Sequence, residues 1–355
     1  MSLSRRLSLC ALALPVLLTA TACGGGAAPA GDGDGLKVVT AFYPFQFVAE
    51  RVAGDQATVT SLTAPGAEPH DLELSPRQLI ELAEADLVVY QSGFQPAVDE
   101  AIAQNPPADV VDVAELVTLR TIGEEEATAE EHGHEHGAEE EHAHEHAEEG
   151  HAEEGHAEEE HAEEEHGAEE GHEGHDHSAE AGSTDPHSWL DPTTMVAVTD
   201  VVADRLATAQ PESAGEVEAA AAQLVAELED LDQDFQTGLQ SCERQEFITT
   251  HAAFGYLADR YGLTQIAISG ISPDAEPSPA RIAEIHAEAK AHQVTTIFTE
   301  TLTSPAVAEA VAGDLGLRTD VLDPLEGLTE QSRGSDYIAV QRANLEALRT
   351  ANGCS

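Results

Sequence analysis

Eight short runs rich in apolar and β-branched residues punctuate the chain, at positions 37–41, 57–63, 86–90, 109–113, 245–250, 264–269, 294–299 and 319–322. Runs of this length bounded by turn formers read as strands. Segments 45–53, 76–84, 96–104, 253–260, 279–292, 305–314 and 337–349 carry helical patterns instead. Three of them open with Ser-Pro, at Ser75-Pro76, Ser278-Pro279 and Ser304-Pro305. Serine before proline places a side-chain acceptor at the N-cap and a preset φ at the first helical position. Strand–helix alternation predicts an α/β fold with parallel sheets, and four strands in each half predict two similar lobes. Between the halves, Val217, Ala221, Leu224, Leu228, Leu231, Phe235 and Leu239 recur at spacings of three and four. That is one face of a helix about 42 Å long at 1.5 Å per residue, which would join two lobes stiffly. A helix packed within a single lobe is the other reading of the same periodicity.

The two ends of the first half break this pattern. Arg5 and Arg6 precede an apolar stretch at 7–18, too short for a membrane span but typical of an export signal. Thr19-Ala20-Thr21-Ala22-Cys23, followed by Gly24-Gly25-Gly26, resembles the lipobox of bacterial lipoproteins. Ala20 stands where leucine is most usual in that motif. Cleavage there would leave a lipid on Cys23 and a Gly-rich tether running to residue 35. No later apolar run is long enough for a membrane helix. Cys10 would leave with the signal, so Cys242 and Cys354 remain as a pair outside the reducing cytosol, where a disulfide is expected.

Composition sharpens the picture in one place. The formal charge is −53, from 68 acids against 15 bases, and this argues against a nucleic-acid partner. Residues 124–180 hold 25 acids, no Lys or Arg, and 13 of the 18 histidines. Such a tract buries too little apolar surface to fold alone. Its histidines, among them His132, His134, His136, His142, His144 and His146, read as many interchangeable metal ligands on an acidic chain. The tract is expected to gather metal weakly at many sites.

Five histidines lie elsewhere. His286 and His292 share one helical pattern and read as solvated helix residues. His70, His187 and His251 sit in turn-rich loops, and Asp323 closes the last strand run. His70, His251 and Asp323 fall beyond the carboxyl ends of strands, where parallel α/β sheets bind ligands. Three imidazoles and a carboxylate suit a tetrahedral, borderline ion, Zn²⁺ before Mn²⁺. Such a site needs deprotonated imidazoles, so binding is expected to weaken below about pH 6, free imidazole titrating near 6.5.

Taken in order, the lipobox, Gly66-Ala67-Glu68-Pro69-His70-Asp71, the His-rich insert, Asp185-Pro186-His187-Ser188-Trp189-Leu190-Asp191-Pro192, the long helix, Thr250-His251-Ala252-Ala253-Phe254-Gly255-Tyr256, Phe298-Thr299-Glu300 and Leu322-Asp323-Pro324-Leu325 resemble the zinc/manganese solute-binding lipoproteins of bacterial ABC importers. The resemblance implies two (β/α)₄ lobes joined by a rigid helix, with one metal in the cleft between them. It implies His70 and His187 as ligands from the first lobe, His251 from the second and Asp323 as the acidic position, with Glu68 or water as other ways to complete the site and Glu300 nearby by motif. Histidine rather than glutamate at position 251 goes with the zinc members.

The expected layout is then a signal peptide at 1–22, a tether at 23–35, a first lobe at 36–211 carrying the insert, a linker helix at 212–241 and a second lobe at 242–355. The expected protein is not an enzyme. It is a monomeric, lipid-anchored, extracytoplasmic receptor that binds Zn²⁺ as cargo and hands it to an ABC permease. A manganese or iron receptor of the same class and a metal-dependent adhesin are the alternatives. A secreted zinc hydrolase fits less well, because no His-Glu-x-x-His helix is present.

Overall fold

The computed structural model describes residues 35–121 and 184–355. The signal peptide, Cys23, the tether up to residue 34 and the insert with its histidines, His132 to His146 included, lie outside the described residues. The first series of elements is β1 (Leu36–Thr40), α1 (Tyr43–Ala53), β2 (Ala57–Ser61), α2 (Pro76–Ala83), β3 (Leu87–Tyr90), α3 (Pro96–Gln104) and β4 (Val110–Asp112). Two helices follow, α4 (Pro192–Ala209) and α5 (Ala214–Leu239). The second series is β5 (Glu246–Thr249), α6 (Gly255–Tyr261), β6 (Thr264–Ala267), α7 (Pro279–Ala291), β7 (Thr296–Thr299), α8 (Ala306–Leu315), β8 (Arg318–Val321) and α9 (Tyr337–Asn352).

Each series forms one parallel four-stranded sheet, in the orders β2-β1-β3-β4 and β6-β5-β7-β8. The order reverses between β1 and β3 in one sheet and between β5 and β7 in the other. At such a reversal the flanking connections leave on opposite faces and open a crevice at the carboxyl edge. Central strands read as continuous apolar runs because helices cover both faces, as in Leu87-Val88-Val89, all buried.

Helix α5 is 26 residues long, about 39 Å, and the seven periodic positions from Val217 to Leu239 are all buried. It packs on α1 from the first series, on its neighbour α4 and on α9 from the second series. One continuous apolar cluster joins its Leu224, Leu228 and Phe235 to Val48 and Val52 of α1 and to Leu345 and Leu348 of α9. It therefore serves both sheets rather than one. Cys242 and Cys354, 112 residues apart, are joined in a disulfide that ties the chain end to the start of β5. Trp189, fully buried, donates its indole N–H to Pro324 O at 2.8 Å, and Tyr337 OH donates to Trp189 O at 2.6 Å, so the two halves are also bonded directly.

Ser75 and Ser278 cap α2 and α7 through Gln78 N and Arg281 N, with proline at the first helical position in both. The third Ser-Pro differs by one residue: Pro305 itself takes the cap and α8 starts at Ala306. His292 is exposed and pairs with Glu246 at 3.1 Å. His286, expected to be solvated, is half-buried with its Nε2 buried. Among the described residues no helix is long and apolar enough to cross a membrane.

Candidate metal centre

Four loops deliver four side chains to one point. After β2, Pro65-Gly66 turns the chain with Gly66 at φ 76°, a conformation that favours glycine, and Ala67 N donates to Ala64 O at 3.0 Å. The Glu68 carboxylate accepts the His70 and Asp71 backbone N–H groups at 2.9 and 3.3 Å, and Gln95 Nε2 donates to Pro69 O at 3.0 Å. These bonds fix the segment that carries His70. His187 opens the short turn Ser188–Leu190, held by buried Trp189 against Phe42 and Phe94 and by Ser188 Oγ donating to Gln91 at 2.7 Å. His251 leaves the end of β5, and its carbonyl accepts Thr249 Oγ1 and Gln265 Nε2 at 2.8 and 2.9 Å. Glu326 follows β8 through Leu325, which is buried at φ 59°. A non-glycine residue in that region carries about 1–3 kcal/mol of backbone strain, which surrounding structure must offset. Here the offset comes from the burial of Leu325 and from Asp323 Oδ1, which accepts the Leu325 N–H at 2.9 Å.

The ligand atoms of His70, His187, His251 and Glu326 all lie within 4.8 Å of one another. Glu326 Oε1 is 3.1 Å from His70 Nε2, 3.4 Å from His187 Nε2 and 3.3 Å from His251 Nε2. Bonds of 2.0–2.1 Å to a tetrahedral zinc ion give ligand–ligand edges of about 3.3–3.4 Å. The ring centroids stand 5.2–5.9 Å apart. His187, His251 and Glu326 are buried, and only His70 retains 11% side-chain exposure. His187 Nε2, His251 Nε2 and Glu326 Oε2 have no hydrogen-bond partner despite their burial. Such orphaned atoms are uncommon, and a shared ion satisfies all of them.

The opposite ring nitrogens are engaged. His187 Nδ1 lies 2.9 Å from Asp185 Oδ1, which also accepts the His187 backbone N–H at 3.0 Å. His251 Nδ1 lies 2.7 Å from Glu300 Oε2, whose other oxygen accepts the His251 N–H at 3.1 Å and the Thr250 hydroxyl. Carboxylate acceptors at Nδ1 fix the tautomer that leaves Nε2 as a lone pair and raise ligand basicity. Burial is the largest influence and resists protonation of His251, but Glu300 and Glu326 together outweigh it and push the metal-free ring up to about 10. His187 is raised in the same way: burial opposes, and Asp185 and Glu326 together prevail. Burial likewise resists ionisation of Glu326, yet the three imidazoles gathered around its Oε1 at 3.1–3.4 Å hold it well below the usual carboxylate range. The metal-free site therefore holds protons that a metal ion must displace.

Of the side chains expected from the sequence, the structure brings together His70, His187 and His251 but not Asp323. Glu326 stands in the acidic place. Asp323 is consumed by its own loop, with Oδ1 on Leu325 N, Oδ2 accepting Ser332 Oγ at 2.7 Å, and its backbone N–H donated to Asn344. An aspartate one residue before proline at a strand end is an Asx-turn former, and that signal marks Asp323 as structural. Glu68 is set back, its carboxylate 3.9 Å from His70 Nε2, and groups instead with Asp71 and Asp274. Glu300 orients His251 rather than facing the shared point. The short pH range expected from free imidazole also changes, because the raised His251 extends proton competition above neutrality.

The family described as zinc-uptake complex component A, periplasmic, matches residues 38–351. The chain is 34% identical over 317 residues to the zinc-binding lipoprotein AdcA of Streptococcus pneumoniae strain R6, covering 88% of this chain and 55% of that protein, so it spans about half that relative's length. It is 33% identical over 341 residues to the high-affinity zinc uptake system protein ZnuA of Bacillus subtilis strain 168, covering 94% and 93% of the two chains. The crystal structure of the Zn(II)-bound ZnuA-like domain of S. pneumoniae AdcA superposes with a TM-score of 0.64 at 30% identity, over 89% of this chain and 98% of that one. With two parallel α/β sheets sharing one spine helix and a three-histidine, one-carboxylate cluster where loops from both sheets meet, this chain belongs to the zinc-uptake component A family of metal-binding transport proteins.

Proposed function

We propose that the protein is an extracytoplasmic receptor that captures Zn²⁺ at His70, His187, His251 and Glu326 and delivers it to an ABC permease for import. The observation that carries this reading is the convergence of three Nε2 atoms on one buried carboxylate oxygen at 3.1–3.4 Å. Three imidazoles favour zinc over manganese, which prefers a larger share of oxygen ligands. Four protein ligands leave no open position for an activated water, so the site suits carriage rather than hydrolysis. The relatives named for zinc uptake support the same cargo. A lipid on Cys23 would keep a monomeric receptor beside its permease, and the cross-bonded halves with their shared helix favour small adjustments over wide hinge opening.

Calorimetric titration of the metal-free protein with Zn²⁺ and Mn²⁺ in competition tests the reading. One tight zinc site is expected, lost by more than a hundredfold in His251→Ala while the circular dichroism spectrum is retained. Preference for manganese at equal concentration, or unchanged tight zinc binding in the variant, would refute it.

A further inference from the structure

Outside the four converging side chains, one charged group spans both series of elements next to a ligand. The Arg120 guanidinium lies 3.5 Å from Asp185 Oδ2 on one side and donates from Nε to Asp259 Oδ2 of α6 at 2.8 Å on the other. Its backbone N–H donates to the Tyr256 hydroxyl at 2.7 Å, and that hydroxyl donates to Asp185 O at 2.9 Å. Asp185 N closes the ring by donating to Arg120 O at 2.8 Å, beside the antiparallel bridge Thr121–Thr184. Asp185 is fully buried, and its other oxygen, Oδ1, meets the His187 backbone N–H and ring Nδ1. Tyr256 and Asp259 belong to the helix that begins four residues after His251. The chain thus reaches from the acceptor of one imidazole to the helix that follows another.

Gly255 shows how tightly this junction is built. A Cβ added there would stand 2.5 Å from Arg120 Nη1 and 2.7 Å from Asp185 Oδ2. An arginine tip can usually swing away from such a contact, but this one is hydrogen-bonded through Nε to Asp259 and paired at 3.5 Å with a buried carboxylate. Alanine at the first turn of α6 is otherwise favourable for the helix. The glycine is explained by the close approach of the Arg120–Asp185 pair.

We propose that Arg120, with Gly255 making room for it, is a positioning residue: a clasp across the two halves that sets the direction of His187 through Asp185 and thereby the geometry and retention of the bound ion. The inference rests on the reading of His187 as a metal ligand. Outer carboxylate partners of ligating histidines typically contribute 10–100-fold to metal affinity. A clasp holding such a carboxylate in place belongs in that range, and a fork that serves two acids at once is a geometry lysine reproduces only in part.

The test uses the whole protein and Co²⁺ as well as Zn²⁺, with Co²⁺ added below one equivalent so that the tightest site fills first. Arg120→Gln and Gly255→Ala are each expected to weaken zinc binding 10–100-fold, to speed zinc release, and to shift the visible Co²⁺ bands that report ligand geometry. Arg120→Lys is expected to recover part of the loss. Zinc affinity within threefold of wild type in both variants, with unchanged Co²⁺ bands, overturns the clasp. So does a loss of affinity that tracks a lower Tm while the Co²⁺ bands stay as in wild type. If the unaltered protein shows no Co²⁺ bands sensitive to His187→Ala, the metal-site reading itself fails, which distinguishes that failure from failure of the clasp alone.

Discussion

Replacing Glu326 by glutamine changes one atom pair and should abolish tight zinc binding. The side chain is 1% exposed, and three imidazole nitrogens surround its Oε1 at 3.1–3.4 Å. Removing one partner from a buried charged group costs about 3–5 kcal/mol. At about 1.4 kcal/mol per decade this is two to nearly four orders of magnitude in Kd. One effect works the other way. Glu326 contributes to raising the His251 ring, so the amide variant binds fewer protons when metal-free and has fewer to displace. Each unit of pKa removed returns about 1.4 kcal/mol, so one such unit sets the expected loss nearer one to two and a half orders. Asp323→Asn is the contrasting control. Asp323 accepts Leu325 N and Ser332 Oγ and faces no imidazole, so its replacement should lower stability by about 1–3 kcal/mol with little change in intrinsic zinc affinity. Competition against a chromophoric zinc chelator measures both affinities, and urea melts measure the stabilities. A Glu326→Gln protein with Kd within threefold of wild type, or a larger affinity loss in Asp323→Asn, would refute the assignment of the fourth ligand.

Three further outcomes follow from the structure. Because the metal-free His251 is raised to about 10, zinc binding at pH 7.5 should release at least one proton, and affinity should keep rising with pH toward 10; calorimetry in buffers of different ionisation heat counts the protons, and a count of zero contradicts the Glu300–His251 arrangement. The same raised value means that metal-free stability from charged His251 is whole below about 6.5 and is lost as pH rises through about 10, so the metal-free Tm should fall over that interval while the zinc-loaded form is less affected. Replacing Cys242 and Cys354 by serine opens a loop of 112 residues and should cost about 4–5 kcal/mol of stability in denaturant melts, leaving zinc stoichiometry unchanged; a loss below 1 kcal/mol would mean the chain-entropy account does not hold here.

The strands, the helices and the spine were legible in the sequence because each is set by local periodicity. Val217 to Leu239 repeat at helical spacing, and Leu87-Val88-Val89 is a short, β-branched apolar run of the kind an inner strand takes. Loop composition likewise exposed His70, His187 and His251, since all three sit in turn-rich segments and two of them directly follow strands. What periodicity could not reach was the choice between two acids three residues apart. Asp323 and Glu326 differ not in residue class but in which way a strained turn at Leu325 aims them, and that turn is held by Ser332, Asn344 and the buried Leu325 itself. The parts played by Asp185, Glu300 and Arg120 were hidden for the same reason. Their partners lie 2, 49 and 139 residues away along the chain, and only folding brings those distances to 2.9, 2.7 and 2.8 Å. Amino-acid order determined which segments become strands or helices, because those depend on neighbours a few residues apart. The tertiary structure decided which carboxylate meets the three imidazoles and which ones steer them, because that depends on the direction of side chains leaving loops on two different sheets.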